Sequence, residues 1–143
     1  MKSPKRFSQS SRRRQNTPQS QFNEIVVNLV DSCITFDNTR LFHFAVKKSE
    51  FPTYHDIVKN PIDLSTIKAR AKRCEYKTLE EFRNDMKLLK ENSVKFNGEN
   101  SHVTNQAQSI LDRMEALIES DLTHIKELEA KVAAGVPENE VSK

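Results

Sequence analysis

The sequence has few of the residues that build tight loops or staple small proteins. Its 143 residues include two glycines, two cysteines and no tryptophan. Loops that cradle phosphate need several glycines, so nucleotide-binding motifs of that kind are excluded. Cys33 and Cys74 are 41 positions apart, without a Cys-x-x-Cys pattern or a paired histidine. This spacing excludes a zinc finger and argues against a disulfide framework, so we expect a protein of a reducing compartment with no metal or cofactor.

Long hydrophobic runs are also missing. No apolar run exceeds three residues, whereas a transmembrane helix needs about 20. The basic amino terminus has no apolar segment behind it and therefore does not resemble a secretory signal. With 36% hydrophobic and 30% charged residues, the composition predicts one soluble, intracellular domain with tails, large enough to bury its own core.

Positive charge is concentrated at the amino terminus. Of the 23 basic residues, six lie in residues 1–21, which contain no acid, and this leaves 17 bases against 20 acids in the rest. The segment has one large apolar residue, Phe7, and cannot bury enough surface to offset the entropy of ordering. We predict a disordered basic arm. This arm contains the run Arg12, Arg13 and Arg14. The run could serve as a nuclear-import patch or make weak contact with nucleic-acid phosphates. Alternatively, it belongs to a solvated tail that keeps the protein soluble.

Apolar periodicity predicts helices and no strand. A capping box at Thr78 and Glu81 begins the third helix, and Gly98 suits the geometry that ends it. The predicted fold class is all-α, an antiparallel four-helix bundle over residues 22–134 with a frayed tail at 135–143. The four helices are predicted at residues 22–36, 63–74, 78–97 and 101–131.

The long loop between the first and second helices is unusually apolar. Residues 41–46 and 51–54 contain several large hydrophobic side chains where a solvated loop would have few. They either cover the open end of the bundle core or line a pocket there, and both are compatible.

Two segments in and after this loop resemble a known family. Residues 51–67, with the sequence FPTYHDIVKNPIDLSTI, resemble the P-D-Y-Y-x-I-I-x-x-P-M-D-L-x-T-I stretch of bromodomains. Residues 92–98, NSVKFNG, resemble the N-[CS]-x-x-Y-N segment that ends the third helix of that family. Between these two segments, Tyr76, Thr78 and Phe82 match the family's Y/F-x-[ST]-x-x-x-F pattern. The resemblance covers residues 22–122.

The resemblance implies a left-handed four-helix bundle whose interhelix loops form a pocket for acetylated lysine. Carried over position by position, Asn97 matches the anchor asparagine whose amide donates to the acetyl carbonyl. Tyr54 matches the tyrosine that reaches the same oxygen through a water molecule. The other implied acetyl-lysine-binding residues are the wall residues Val46, Phe51 and Phe96, the gatekeeper Val103 and the shelf residue Phe42.

The sequence departs from the family pattern at the pocket entrance. Arg40 and Leu41 replace the Trp and Pro of the family's shelf, so one wall loses its flat aromatic side chain. Phe96 replaces a Tyr, and His55 a second Tyr. These changes are expected to affect affinity and peptide choice more than the anchor contact.

Structural interpretations remain open beside these roles. Asn97 could be a helix C-cap, Tyr54 a surface aromatic and Val103 plain core. The leading functional hypothesis is a nuclear, non-catalytic reader of acetylated lysine on histone tails or other nuclear proteins, which links acetylation to chromatin or transcription complexes. The alternative is a scaffold of the same fold that binds unmodified partners. An enzyme is disfavoured, because no nucleophile elbow or paired carboxylates are evident. We expect a monomeric domain without membrane association.

Overall fold

The computed structural model describes residues 17–135, and these residues form helices and no strands. In chain order the helices are α1 Pro18–Phe36, α2 Tyr54–Ile57, α3 Leu64–Lys72, α4 Leu79–Asn97, α5 His102–Ser120 and α6 Leu122–Ala134. α1 packs against α3, α5 and α6, while α4 packs against α5. The predicted all-α helical bundle is confirmed. No helix within these described residues is long and apolar enough to span a membrane.

The first helix begins earlier than periodicity predicts. Thr17 is its N-cap, and the Thr17 side chain accepts a hydrogen bond from the Ser20 N–H at 3.0 Å. Pro18 occupies the first turn, where its missing N–H costs nothing. The prediction of a disordered arm is therefore wrong for residues 18–21, which are helical. Arg12, Arg13 and Arg14 lie outside the described residues, as does the predicted tail beyond Gly135.

Polar contacts hold this first turn in place. Asn23 is buried, and its Nδ2 donates to the Tyr76 carbonyl at 2.8 Å while its Oδ1 accepts from the Tyr76 N–H at 3.0 Å. Gln19 donates to the Cys74 carbonyl at 2.7 Å. These bonds join the start of α1 to the connection between α3 and α4. Apolar periodicity does not predict these bonds, because the side chains that form them are polar.

The predicted last helix is two helices in the structure. α5 ends at Ser120 and α6 begins at Leu122, with Asp121 between them at φ −133° and ψ 24°. A straight helix over both segments would be about 50 Å long and would extend past the bundle. The break instead lets α6 return to α1 and bury Ile125 and Leu128.

The core is built from one apolar stripe on each long helix, as the sequence predicts. Side chains that recur at helical spacing interlock between the helices and are almost fully buried. The largest buried side chains are Phe22, Phe82, Leu64, Ile67, Leu79, Met86, Ile110, Met114, Ile118, Ile125, Val26 and Val30.

The segment between α1 and α3 crosses the end of the bundle and is tied to it by backbone bonds. The Leu64 N–H donates to the Phe42 carbonyl at 2.8 Å, and the Ser65 N–H to the His43 carbonyl at 3.0 Å. The segment also contains α2, which is too short for periodicity to reveal. The loop is therefore held against the start of α3 and forms one wall of the site described next.

Candidate functional site

A cavity of about 130 Å³ lies where the α1–α3 segment meets the end of α4 and the start of α5. All of the acetyl-lysine-binding residues implied by the resemblance line it. The role of these residues in binding stays a prediction, but the structure brings them to one place. The lining consists of Leu41, Phe42, Phe44, Val46, Phe51, Tyr54, Ile62, Leu89, Asn92, Ser93, Phe96, Asn97 and Val103.

Three aromatic rings form one wall of the cavity. The Tyr54 and Phe96 ring centroids are 4.9 Å apart at 67°, and the Phe51 and Phe96 centroids are 5.9 Å apart at 89°. Edge-to-face pairs of this kind each add about 0.5–1.5 kcal/mol beyond their buried area. Phe96 thus connects α4 to the loop and keeps the wall in place.

Tyr54 is 8% exposed, and its ring belongs to this wall. Burial raises the pKa of the Tyr54 hydroxyl above its ordinary value. A tyrosine hydroxyl is protonated at neutral pH in any case, and this shift keeps it available as a hydrogen-bond donor to still higher pH. This environment differs from that of the exposed surface aromatic considered as an alternative.

Asn97 is the last residue of α4 and is exposed at the cavity mouth. Its Nδ2 donates to Ser93 Oγ over 3.3 Å, which is long for a hydrogen bond. The residue that caps α4 is Gly98, which has a φ of 97° and whose N–H donates to the Val94 carbonyl. Asn97 therefore does not have the capping role considered as an alternative.

The backbone around Asn97 is held by hydroxyl groups of the α4–α5 connection. Thr104 Oγ1 donates to the Gly98 carbonyl at 2.7 Å, and Thr104 lies 2.8 Å from Ser93 Oγ. The Ser101 side chain caps α5 by accepting from the Thr104 N–H. These bonds fix the position of the Asn97 backbone while leaving the amide end of its side chain at the mouth.

Asn92 lines the same cavity and was missed by sequence reasoning. It is 2% exposed, and its Nδ2 donates to the Asn60 carbonyl at 2.9 Å, which ties the loop to α4. Its Oδ1 is buried with no hydrogen-bond partner among the described residues. An unmatched buried acceptor costs about 1–3 kcal/mol. The first position of the N-S-V-K-F-N motif is the sequence signal that could have identified it.

The remaining implied residues have both packing and lining roles. Phe42 is buried in the core and also reaches the cavity. Val103, near the start of α5, packs against the core and lines the cavity, so the core and gatekeeper interpretations are compatible. Val46 is half-buried on the loop side.

The cavity lining has no ionisable acid or base apart from the phenol of Tyr54. Its side-chain polar groups are the two carboxamides of Asn92 and Asn97, the Ser93 hydroxyl and the Tyr54 phenol. An ammonium or carboxylate would lose its hydration here without gaining a counter-ion. A neutral group with a hydrogen-bond acceptor and a small apolar end suits these surroundings.

The bromodomain family model matches residues 26–109, more than half of the chain. Transcription initiation factor TFIID subunit 1 of Arabidopsis thaliana is 38% identical over 92 residues, or 64% of this chain and 5% of that protein. The subunit of Caenorhabditis elegans is 29% identical over 111 residues, or 78% of this chain and 6% of that protein. The chain thus spans only a small part of these curated relatives.

The sequence of residues 92–111 predicts a likeness to the second bromodomain of the largest TFIID subunit. The relatives support the resemblance to TFIID subunit 1, and the choice of its second bromodomain stays a prediction.

Solved structures share the fold as well. A Leishmania donovani bromodomain complexed with bromosporine superposes with a TM-score of 0.62 at 31% identity, over 68% of this chain and 83% of that chain. The bromodomain of human BAZ1A gives 0.61 at 28% identity, over 66% and 88%. Together with the match over residues 26–109, this likeness shows that the chain belongs to the bromodomain family, a family of binding modules.

Proposed function

We propose that this protein is a reader of acetylated lysine. One observation carries the proposal, the uncharged, aromatic-walled cavity with the Asn97 amide at its mouth. The acetyl group enters the cavity, and its carbonyl accepts a hydrogen bond from Asn97 Nδ2. The Tyr54 hydroxyl, which is protonated at neutral pH, reaches the same oxygen through a water molecule.

Discrimination between modified and unmodified lysine follows from charge. An ammonium buried among Val46, Phe51 and Phe96 would lack a paired anion, which is prohibitively unfavourable. Acetylation removes the charge and leaves an amide whose acceptor fits the donor at position 97. No repulsive group is needed to reject the unmodified side chain. Since one side chain buries little area, we expect weak, transient binding.

We further propose that the ligands are histone tails or other nuclear proteins and that the protein links their acetylation to chromatin or transcription complexes in the nucleus. The support comes from the relatives, two of which are named as subunits of a transcription initiation factor. We propose a monomeric, non-catalytic domain.

Titration with a matched pair of peptides tests the proposal. The two peptides differ only in one lysine side chain, acetylated or not, and binding is measured by calorimetry. We expect binding of the acetylated peptide and none detectable of the other. Equal affinity for both would refute the proposal and favour the alternative, a scaffold of the same fold for unmodified partners.

The Asn97→Ala variant is the matched control for the mechanism. It should lose acetyl-peptide binding while its melting temperature stays close to that of the wild type, because Gly98 and Thr104 hold the end of α4. A large loss of stability with retained binding would assign Asn97 a structural role instead.

A further inference from the structure

Three large apolar side chains stand exposed around the mouth of the cavity. Phe44 is 60% exposed, Leu41 51% and Phe51 46%, and all three also line the cavity itself. Exposed apolar surface that adjoins a binding cavity is a common mark of a contact surface. Phe44 is the most exposed of the three, and the resemblance to the family assigns it no role.

Phe44 is presented as part of a flat, ordered surface. Its ring stacks on the ring of His43, with centroids 4.1 Å apart and planes at 11°. The backbone beside the pair is fixed, because the Phe42 and His43 carbonyls accept the hydrogen bonds from the start of α3 described above. A preorganised surface loses little entropy when a ligand packs on it.

This stacked pair lies close in sequence to the shelf positions at which the chain lacks the family's Trp and Pro. The Trp position of the family's shelf is occupied by Arg40, which is exposed and has a φ of 60°. Phe44 supplies an aromatic face four residues further along the same segment. The apolar surface at the entrance is therefore displaced along the loop rather than lost.

The charge beside the stacked pair narrows the choice of residues in the ligand. Residues 40–48 contain three exposed bases, Arg40, Lys47 and Lys48, and no acid, while the exposed Glu50 lies just beyond them. None of the three forms an ion pair within residues 17–135. A ligand with basic residues beside the acetylated lysine would meet like charge here, whereas carboxylates would be complementary.

We infer that the stacked His43–Phe44 pair, together with Leu41, binds an apolar side chain next to the acetylated lysine in the same peptide, and that Arg40, Lys47 and Lys48 favour acidic residues beyond it. The inference rests on the proposed function, since the acetylated lysine anchors the peptide beside this surface. Of the ligands proposed above, acetylated segments of other nuclear proteins with apolar and acidic neighbours are thus favoured over strongly basic histone tails.

The test uses three peptide series that share a central acetyl-lysine. In the first, the neighbouring residues are Leu or Phe with Glu further out; in the second they are Gly and Ser; in the third they are Arg and Lys. Each peptide is also made without the acetyl group. The wild type should bind the apolar–acidic series about five- to tenfold more tightly than the Gly–Ser series, and the basic series most weakly.

The Phe44→Ala variant tests the surface itself. It should reduce the preference for the apolar–acidic series to within about twofold while keeping the dependence on acetylation. Phe36→Ala is the matched control, since Phe36 is 42% exposed but lies against Arg113, outside the cavity lining. That control should keep the full preference, and both variants should melt close to the wild type because both rings are exposed.

Two results would overturn the inference but not the proposed function. In the first, binding depends on acetylation but Phe44→Ala keeps the wild-type preference for the apolar–acidic series. In the second, binding depends on acetylation but the basic series is bound most tightly. Loss of acetyl dependence in all three series would instead refute the proposed function, and the inference with it.

Discussion

The two tyrosines of the chain have different surroundings. Tyr54 lines the cavity, whereas the Tyr76 hydroxyl donates to Asp85 at 2.5 Å. Asp85 also accepts from Arg70 at 2.6 Å, so Tyr76 belongs to a charged hydrogen-bonded cluster between α3 and α4. The same side chain thus has a proposed binding role at one position and a structural one at the other.

Removing each hydroxyl should separate these roles. Tyr54→Phe should weaken acetyl-peptide binding about three- to tenfold, since one water-mediated bond is lost, with little change in stability. Tyr76→Phe should lower the free energy of unfolding by about 1–3 kcal/mol, since Asp85 loses a donor, and leave peptide affinity unchanged. Calorimetric titration and urea unfolding of both variants measure the two effects. The reverse pattern would contradict these assignments.

Cys33 provides a pH-dependent test of the core. Burial among the helices raises the pKa of its thiol to about 12, while the positive charge of Arg113 lowers the pKa by a smaller amount. In the unfolded chain the thiol ionises near its ordinary value, so between about pH 9 and 12 the unfolded state binds fewer protons. Stability should therefore fall as the pH rises through this window, by at most about 1.4 kcal/mol per pH unit.

Comparison with Cys33→Ala isolates this contribution from other titrating groups. The free energy of unfolding of the wild type should decline more steeply above pH 9 than that of the variant, which has no thiol at this position. Parallel curves would mean that the Cys33 thiol ionises equally in both states. Below about pH 8 the two curves should run parallel, because the thiol is protonated in both states.

At the scale of the helices, α4 connects folding to the site. It begins at the Thr78 cap and ends with Asn97 at the cavity mouth. The Thr78 side chain accepts from the Glu81 N–H at 3.1 Å, and Glu81 accepts from the Lys77 N–H at 2.8 Å. Glu129 of α6 further accepts from the Leu79 N–H at 2.7 Å. The start of this helix is therefore fixed from two directions.

Thr78→Ala should cost about 1 kcal/mol of stability by leaving the N–H of Glu81 without its partner. Thr78→Ser keeps the hydroxyl and should cost much less, which makes it the matched control. Chemical denaturation of the two variants gives the comparison. Equal losses would show that the methyl group of Thr78, rather than its cap, matters at this position.

The long helices were predictable because each buries one apolar stripe, and the start of α4 was predictable because Thr78 and Glu81 form a capping box there. The start of α1 was not, because Asn23 and Gln19 hold it through polar bonds to a distant part of the chain. The break at Asp121 was not predicted either, since the apolar spacing continues across it. The break depends on the packing of α6 back against α1. α2 is a single turn, and a single turn has no period to detect.

The site was predictable only where the family motifs reach. Periodicity and composition reveal an apolar loop but not which of its side chains face a cavity, because that depends on the path of the backbone. The motif resemblance supplied Asn97 and Tyr54, and the structure places both at the cavity. Phe44 lies outside the two matched motifs. Asn92 is the first residue of the second motif, but the resemblance was not used to give it a role. Their positions depend on the bonds that tie the loop to α3 and α4.

At the scale of the whole molecule, charge is unevenly distributed. All six bases of residues 1–21 lie within residues 1–16, which precede the cap of α1. The rest of the chain carries 17 bases and 20 acids. Any electrostatic attraction to nucleic acid should therefore come from the amino-terminal segment rather than from the bundle.

Deleting residues 1–16 should leave acetyl-peptide binding unchanged and weaken DNA binding, with a shallower dependence of affinity on salt. The deletion keeps Thr17, so the start of α1 remains capped. Binding to a DNA duplex is measured over a range of salt concentrations for both proteins. An unchanged salt slope would show that the basic segment is not the source of the DNA contact.

A crystal structure of the protein with an acetylated peptide would show the proposed contact itself. We expect the acetyl group inside the cavity lined by Phe51, Tyr54 and Phe96, with Asn97 Nδ2 about 3 Å from the acetyl oxygen. A peptide bound elsewhere, or an acetyl group in the cavity with the Asn97 amide turned away from it, would refute the proposed mode of binding.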